Sequence, residues 1–176
     1  MKEETGALNF FTLKKNIKKN FTGHQAVRIA ILGDSATQLL SQTLKGYGFE
    51  TGLYFDIYEA EYNQIERQVF DLSSDLYRFN PEFVVIFQST QKLIKKFYSL
   101  SNDDKIQFAD KQKEHIDTIQ NILKTNLPCK TIIFNFTEIN DSVFGNYSNK
   151  TDLSFNYQLR KLNFALMNLG KLHKNL

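Results

Sequence analysis

A chain of 176 residues has room for one domain with a substantial core, and its 41% hydrophobic and 23% charged residues exclude a disordered or fibrous polymer. The formal charge of +3, from 22 basic and 19 acidic residues, is too mild to imply a nucleic-acid partner. The single cysteine, Cys129, excludes an internal disulfide or a cysteine-rich zinc site; Met1-Lys2-Glu3-Glu4 lacks the apolar core of a signal peptide, and no stretch is long enough to cross a bilayer, so a cytoplasmic protein is expected.

Leu8 to Phe21 reads as an amphipathic helix, with Leu13, Ile17 and Phe21 at four-residue steps and Lys14, Lys15, Lys18 and Lys19 clustered on it. It is expected to pack across the sheet or its edge and to end at Thr22-Gly23. Val27 to Leu32 is apolar except for Arg28, the pattern of a buried parallel strand, and the carboxyl ends of such strands are where open α/β sheets hold ligands. The run passes into Gly33-Asp34-Ser35. Gly33 permits a tight turn, Asp34 is placed to cap the next helix, and Ser35 would sit on its first turn, where free amides favour an anion. That helix is expected over Ala36 to Lys45, with Leu39, Leu40 and Leu44 toward the core and Gly46-Tyr47-Gly48 breaking it.

Leu53 to Tyr58 alternates apolar and polar residues, as at a sheet edge. The polar loop Glu59-Ala60-Glu61-Tyr62-Asn63 leads to a helix near Gln64 to Phe70, Asp71 to Leu76 adds a short turn, and Asn80-Pro81 forces a break. Phe83 to Phe87 is apolar throughout and therefore central; Gln88-Ser89-Thr90 then caps a helix over Gln91 to Tyr98. A long helix follows from Asp103 to Lys124, striped by Ile106, Ala109, Ile116, Ile119, Ile122 and Leu123. Lys130 to Phe136 supplies a fourth strand, and Cys129 beside it reads as a small buried side chain. Thr137 to Asp152 is polar and aperiodic, a long loop of the kind that tends to be functional or mobile. Phe155 to Leu172 is a final helix.

This order implies one α/β domain over residues 1–176, a three-layer α/β/α sandwich around a mainly parallel, flavodoxin-like sheet with right-handed crossovers. The last helix stands where an alternating fold calls for a further strand. The chain therefore reads as an amino-terminal fragment lacking its last elements.

The Gly33-Asp34-Ser35 turn resembles the start of an SGNH-type (GDSL-like) esterase, which makes Ser35 the candidate nucleophile. Serine hydrolysis also needs a base, an orienting carboxylate and oxyanion donors. The resemblance implies an Asp-x-x-His segment, and none follows Ser35. His115 lies within the long helix and His173 in a helix tail, and both read as surface or helix-end histidines; His24 belongs to the opposite end of the sheet. Gln88-Ser89-Thr90-Gln91 stands where that family has Gly-x-Asn-Asp and lacks both the glycine and the asparagine. The carboxyl edge thus gathers Gly33, Asp34, Ser35, Glu59, Glu61, Asn63, Gln88, Ser89 and Thr90, a set suited to a polar ligand and incomplete as a hydrolase. The same turn also reads as a plain helix cap without chemistry. No phosphate-cradling glycine loop, His-Glu-x-x-His or Asp-x-Asp pair is present, so neither a metal nor a cofactor is expected in this segment.

Four segments carry a closer resemblance: Ile31 to Leu40, Tyr58-Glu59-Ala60-Glu61-Tyr62-Asn63-Gln64-Ile65, Phe79 to Phe87, and Leu159-Arg160-Lys161-Leu162-Asn163. Together they resemble the amino-terminal region of FkbH-like proteins, in which an SGNH-like domain precedes a haloacid dehalogenase-type domain. The resemblance runs from about Leu8 to Leu172. It implies that the complete protein loads a glyceryl unit from a phosphate ester onto the phosphopantetheine of an acyl carrier protein, through aspartates of the downstream domain. This segment would then bind the acyl or glyceryl thioester or dock the carrier, with the lysine-rich first helix facing an acidic partner. Two other readings stand beside it: an active serine esterase or acyltransferase whose base comes from beyond Leu176, and a structural interaction module.

Overall fold

The computed structural model describes residues 9–176, so the expected helix start at Leu8 lies outside the described residues. The apolar run of β1 (Gln25–Gly33) is central: it pairs in parallel with β2 (Leu53–Glu59) on one side and β3 (Phe83–Phe87) on the other. β4 (Lys130–Ile133) extends β3, also in parallel, giving the order β2-β1-β3-β4. From Ile29 to Leu32 alternate side chains of β1 enter two cores, which is why this stretch shows no polar face. Ala30 and Leu32, with Val84 and Ile86 of β3, pack under α3 (Ile65–Phe70), α4 (Asp75–Phe79) and α7 (Phe108–Asn126). Val27, Ile29, Ile31 and Val85 face the other way, against Leu44 of α2 (Gln38–Glu50). The sandwich expected from the alternating pattern is therefore present, with helices on both faces of a parallel sheet.

A third core lies beyond the sheet, where α5 (Thr90–Tyr98), α7 and α8 (Phe155–Leu172) enclose Phe97, Phe108, Phe155, Leu159 and Leu162. Phe97 makes an edge contact with Phe108, its ring centroid 5.2 Å away, and Phe155 lies 5.5 Å away on a tilted ring. Such pairs add stabilisation beyond their buried area.

Four expectations are corrected. The first helix, α1 (Phe10–Asn16), stops at Asn16 and packs on α2 rather than on the sheet; Phe21 instead joins Phe49 and Tyr54, each 5.4 Å away. α2 runs straight through Gly46-Tyr47-Gly48, because those glycines admit neighbours: a Cβ on Gly46 would lie 2.1 Å from the Leu13 carbonyl oxygen, and one on Gly48 2.8 Å from that of Leu53. Leu39, expected in the core, is 66% exposed on the outer face of α2. The long helix divides at Gln107 into α6 (Asn102–Ile106) and α7, with the Gln158 side chain inserted at the joint.

The segment from Thr137 to Asp152 contains a 3₁₀ turn, Gly145–Lys150, and is tied down near its start. The Arg160 guanidinium donates to both Glu138 carboxylate oxygens at 2.9 and 2.7 Å, and the Tyr98 hydroxyl donates to the buried Asp141 carboxylate at 2.7 Å. Burial, reinforced by the Asp141 hydrogen bond and charge, pushes the Tyr98 hydroxyl above the ordinary tyrosine range. A raised native pKa stabilises the fold below the unfolded value, and that contribution is lost as pH rises through the native one. In an alkaline ultraviolet difference titration, Tyr98→Phe is expected to remove one late-ionising step and to weaken the pH dependence of unfolding above the ordinary tyrosine pKa. Identical titration curves for the two proteins would refute this.

Among the described residues, no helix is long and apolar enough to cross a membrane.

Candidate functional site

The order of the strands reverses between β1 and β3: from β1 the chain crosses one way to β2, then back over β1 to β3. In doubly wound sheets, ligands bind at such a switch point, outside the carboxyl ends of the strands. Here the two ends are stitched together. The Asp34 N–H donates to the Phe87 carbonyl at 3.1 Å, and the Ser89 N–H donates to Asp34 Oδ1 at 2.8 Å. Asp34 thus spends one carboxylate oxygen joining two turns. It does not cap α2, whose N-cap position is Thr37; the Thr37 hydroxyl donates to Glu59 Oε1 at 2.5 Å.

Ser35 is likewise displaced from its expected place. It sits in the bend before α2, three residues short of the first helical position, so the free amides of that helix do not reach it. Its hydroxyl oxygen is shielded and bonded to none of the described groups. Gly33 is needed for this bend, since a Cβ there would meet Thr37 Cγ2 at 2.6 Å and the Ser35 carbonyl oxygen at 3.1 Å.

From the β2 loop, Asn63 adopts a left-handed backbone (φ 59°), a conformation asparagine tolerates better than most residues, and its N–H donates to the Gly33 carbonyl at 3.0 Å. Its side-chain oxygen accepts from Lys92 Nζ at 2.9 Å, and that ammonium lies 4.1 Å from the centroid of the Tyr62 ring. Ser89 accepts from the Lys92 N–H as the N-cap of α5, as its position after β3 suggested.

These elements surround a cleft of about 190 Å³ lined by Asp34, Asn63, Ile65, Glu66, Gln88 and His115. Asp34, Asn63 and Gln88 are there as the sequence indicated. Glu59 is turned toward Thr37, Glu61 is exposed, and the Thr90 hydroxyl donates to the Thr137 carbonyl at 2.9 Å, so these three serve the surrounding structure or solvent.

His115 corrects the sequence reading. It is no isolated helix histidine: α7 runs antiparallel to the strands and brings it over the carboxyl edge, where its Nε2 lies 3.2 Å from Glu66 Oε1. A signal was present in its spacing. His115, Ile119 and Leu123 recur at four-residue steps, so His115 shares the sheet-facing stripe one turn nearer the helix start. His173 instead ends α8 and meets Asp117 Oδ1 at 2.8 Å, and His24 stacks on Phe49 at the far end of the sheet.

The cleft thus offers two carboxylates, two amides and an imidazole, with the Lys92 ammonium at its rim. Such a lining recognises hydroxyl and amide groups by hydrogen bonds. Among the described residues, no cluster of three or more His, Cys, Asp or Glu side chains is arranged to hold a metal ion.

A family model described as "FkbH, N-terminal domain" matches residues 28–176. Among solved structures, the chain is similar to the N-terminal part of the protein BF1531 from Bacteroides fragilis, a crystal structure containing a phosphatase domain complexed with Mg. The TM-score is 0.88 and the identity 37%, over 96% of this chain and 44% of that one. The chain therefore spans less than half the length of that relative. No curated protein matches it.

Proposed function

The chain belongs to the FkbH N-terminal domain family, and from that membership we propose that its carboxyl-edge cleft binds the acyl or glyceryl thioester arm of a carrier protein beside a phosphatase-type domain of the same protein. The observation that carries this reading is the meeting of Asp34, Asn63, Gln88 and His115 at the β1/β3 switch point. A phosphopantetheine arm presents two amides and a hydroxyl, groups that such a lining can pair. The phosphatase domain in the Bacteroides fragilis relative supports the placement next to phosphate chemistry. The proposal assigns no cofactor to this segment and places phosphate-dependent steps in the other domain.

The placement of the lysines supports one docking face over another. Lys19 lies 4.5 Å over the Phe49 ring at the carboxyl end of α2, which is the amino end of the strands and remote from the cleft. Lys92 of α5 stands at the cleft instead, bonded to Asn63, and the same helix carries Lys95 and Lys96 in its last turn, so an acidic carrier would approach along α5 rather than α1. In the complete protein, Gln88→Ala and His115→Gln are each expected to weaken carrier binding about tenfold, the equivalent of one good hydrogen bond. Calorimetry with the loaded carrier measures this. Unchanged affinity and unchanged loading rate in both variants would sink the reading.

A second reading, acyl transfer through Ser35, draws on His115, whose imidazole and Glu66 partner line the cleft beside Asp34, the residue before Ser35. It requires a fluorophosphonate probe to label Ser35 in the intact protein and to fail with Ser35→Ala and His115→Gln. Absence of labelling in the unaltered protein excludes it.

A further inference from the structure

β4 ends the sheet, and among the described residues no strand pairs along the side of it turned away from β3. Ile132 is 42% exposed, Phe134 46%, and Met167 on the adjoining α8 52%. An apolar groove of about 320 Å³ runs between β4 and α8, lined by Ile116, Ile132, Ile133, Leu166, Met167 and Leu176. Such an edge is a template for another strand.

The tail enters this groove in strand register. Where β1 begins to pair with β2, and β4 with β3, an N–H donates to the carbonyl that immediately precedes its partner strand. Gln25 donates to Gly52 at 3.2 Å and pairs with Leu53; Lys130 donates to Glu82 at 2.9 Å and pairs with Phe83. Because N–H groups alternate sides along a strand, Thr131 points its own to the free edge. There it donates to the Asn175 carbonyl at 2.6 Å. By the same relation, Leu176 stands opposite Thr131 as the first residue of a parallel strand.

Topology and unsatisfied groups agree. α8 packs beside α7 on the face that carries the β3-to-β4 crossover, so a right-handed crossover through α8 delivers the chain to the far side of β4. At the junction, Thr131 Oγ1 and Asn175 Oδ1 are buried without a partner among the described residues, and Thr131 is only 3% exposed. Buried polar atoms of this kind are ordinarily satisfied.

We propose that the polypeptide following Leu176 continues as a fifth parallel strand along β4, sealing this edge. A parallel strand runs toward the carboxyl edge, so the chain would leave this domain on the side where the cleft opens, and the next domain would start beside it. The inference rests on the reading that the protein continues into a phosphatase-type domain.

Residue-resolved amide exchange on the complete protein tests it. Ile133, the next outward N–H, is expected to exchange about 100-fold or more slowly than an unpaired amide. Replacing the four residues after Leu176 by Gly-Ser-Gly-Ser should restore fast exchange at Ile133 and leave Ile31 protected. Fast exchange in the unaltered protein overturns the proposal, and so does protection that survives the replacement. Protection lost on dilution would assign the edge to a second copy, and a reading frame ending at Leu176 would leave no occupant; either also overturns it. Should the replacement unfold the domain, the unaltered protein decides alone. Failure of carrier binding would not change these rates, so the two readings fail separately.

Discussion

Gly46→Ala is expected to cost about 2 to 3 kcal/mol of folding stability, near the upper end for overpacking a well-packed site, which in a domain of this size lowers Tm by about 5 to 10 °C. The added Cβ would lie 2.1 Å from the Leu13 carbonyl oxygen and 2.6 Å from its carbonyl carbon. Both are backbone atoms, so no side-chain rotation relieves the clash, and α1 must move away from α2. That movement pulls on Asn16, which is fully buried and donates to the Gly46 carbonyl and to Glu50. Gly170→Ala is the control. Gly170 is also helical, but its Cβ would meet nothing within 4 Å, and alanine there should add about 0.5 to 1 kcal/mol by helix propensity alone. Equilibrium urea unfolding separates the two, and equal effects would show that the α1–α2 contact is dispensable.

Gln158→Leu is expected to cost more, about 3 to 4 kcal/mol, because it orphans three backbone groups while nearly conserving volume. The Gln158 side chain is fully buried in α8 and accepts from the Ala109 N–H at 3.0 Å; it donates to the Ile106 carbonyl at 3.1 Å and to the Asp152 carbonyl at 2.8 Å. One amide thus satisfies the start of α7, the end of α6 and the loop ahead of α8. Leucine fills the space but leaves these groups dry and unpaired. Unfolding by urea should reveal the loss, and amide exchange should show it first at Ala109, less than two turns from His115. A stability change within about 0.5 kcal/mol, the range of ordinary surface substitutions, would mean that water replaces the amide.

The sheet was legible because parallel strands buried on both faces leave unbroken apolar runs, as in Ile29 to Leu32 and Phe83 to Phe87, and because β2 at the edge keeps its alternation. The helix bounds were less so. Gly46 and Gly48 carry the same local signal whether they break a helix or let another backbone approach it, and only the position of Leu13 and β2 distinguishes the cases. Gln107 shows no breaker at all; the joint there follows from Gln158, 51 residues later in the chain, a separation no local pattern spans.

The site divides in the same way. Strand-end residues such as Asp34, Asn63 and Gln88 could be named from sequence, since topology alone sends the carboxyl ends of β1, β2 and β3 to one edge. Their roles could not. Asp34 stitches two turns rather than capping a helix, and Ser35 lies in a bend clear of α2, because the path between Gly33 and Gln38 is set by the Phe87 and Ser89 backbone across the gap.

What the amino-acid sequence determined by itself was the alternation of elements, the buried strands and the turn residues, all of which depend on neighbours a few positions apart. The tertiary structure decided what depends on distant segments sharing space: the close crossing of α1 and α2, the arrival of His115 and Glu66 over the Gly33-Asp34 turn, and the Asn175 carbonyl on the β4 edge. Hydrophobic burial is written residue by residue along the chain, whereas hydrogen-bond geometry between remote backbone segments exists only once the layers have packed.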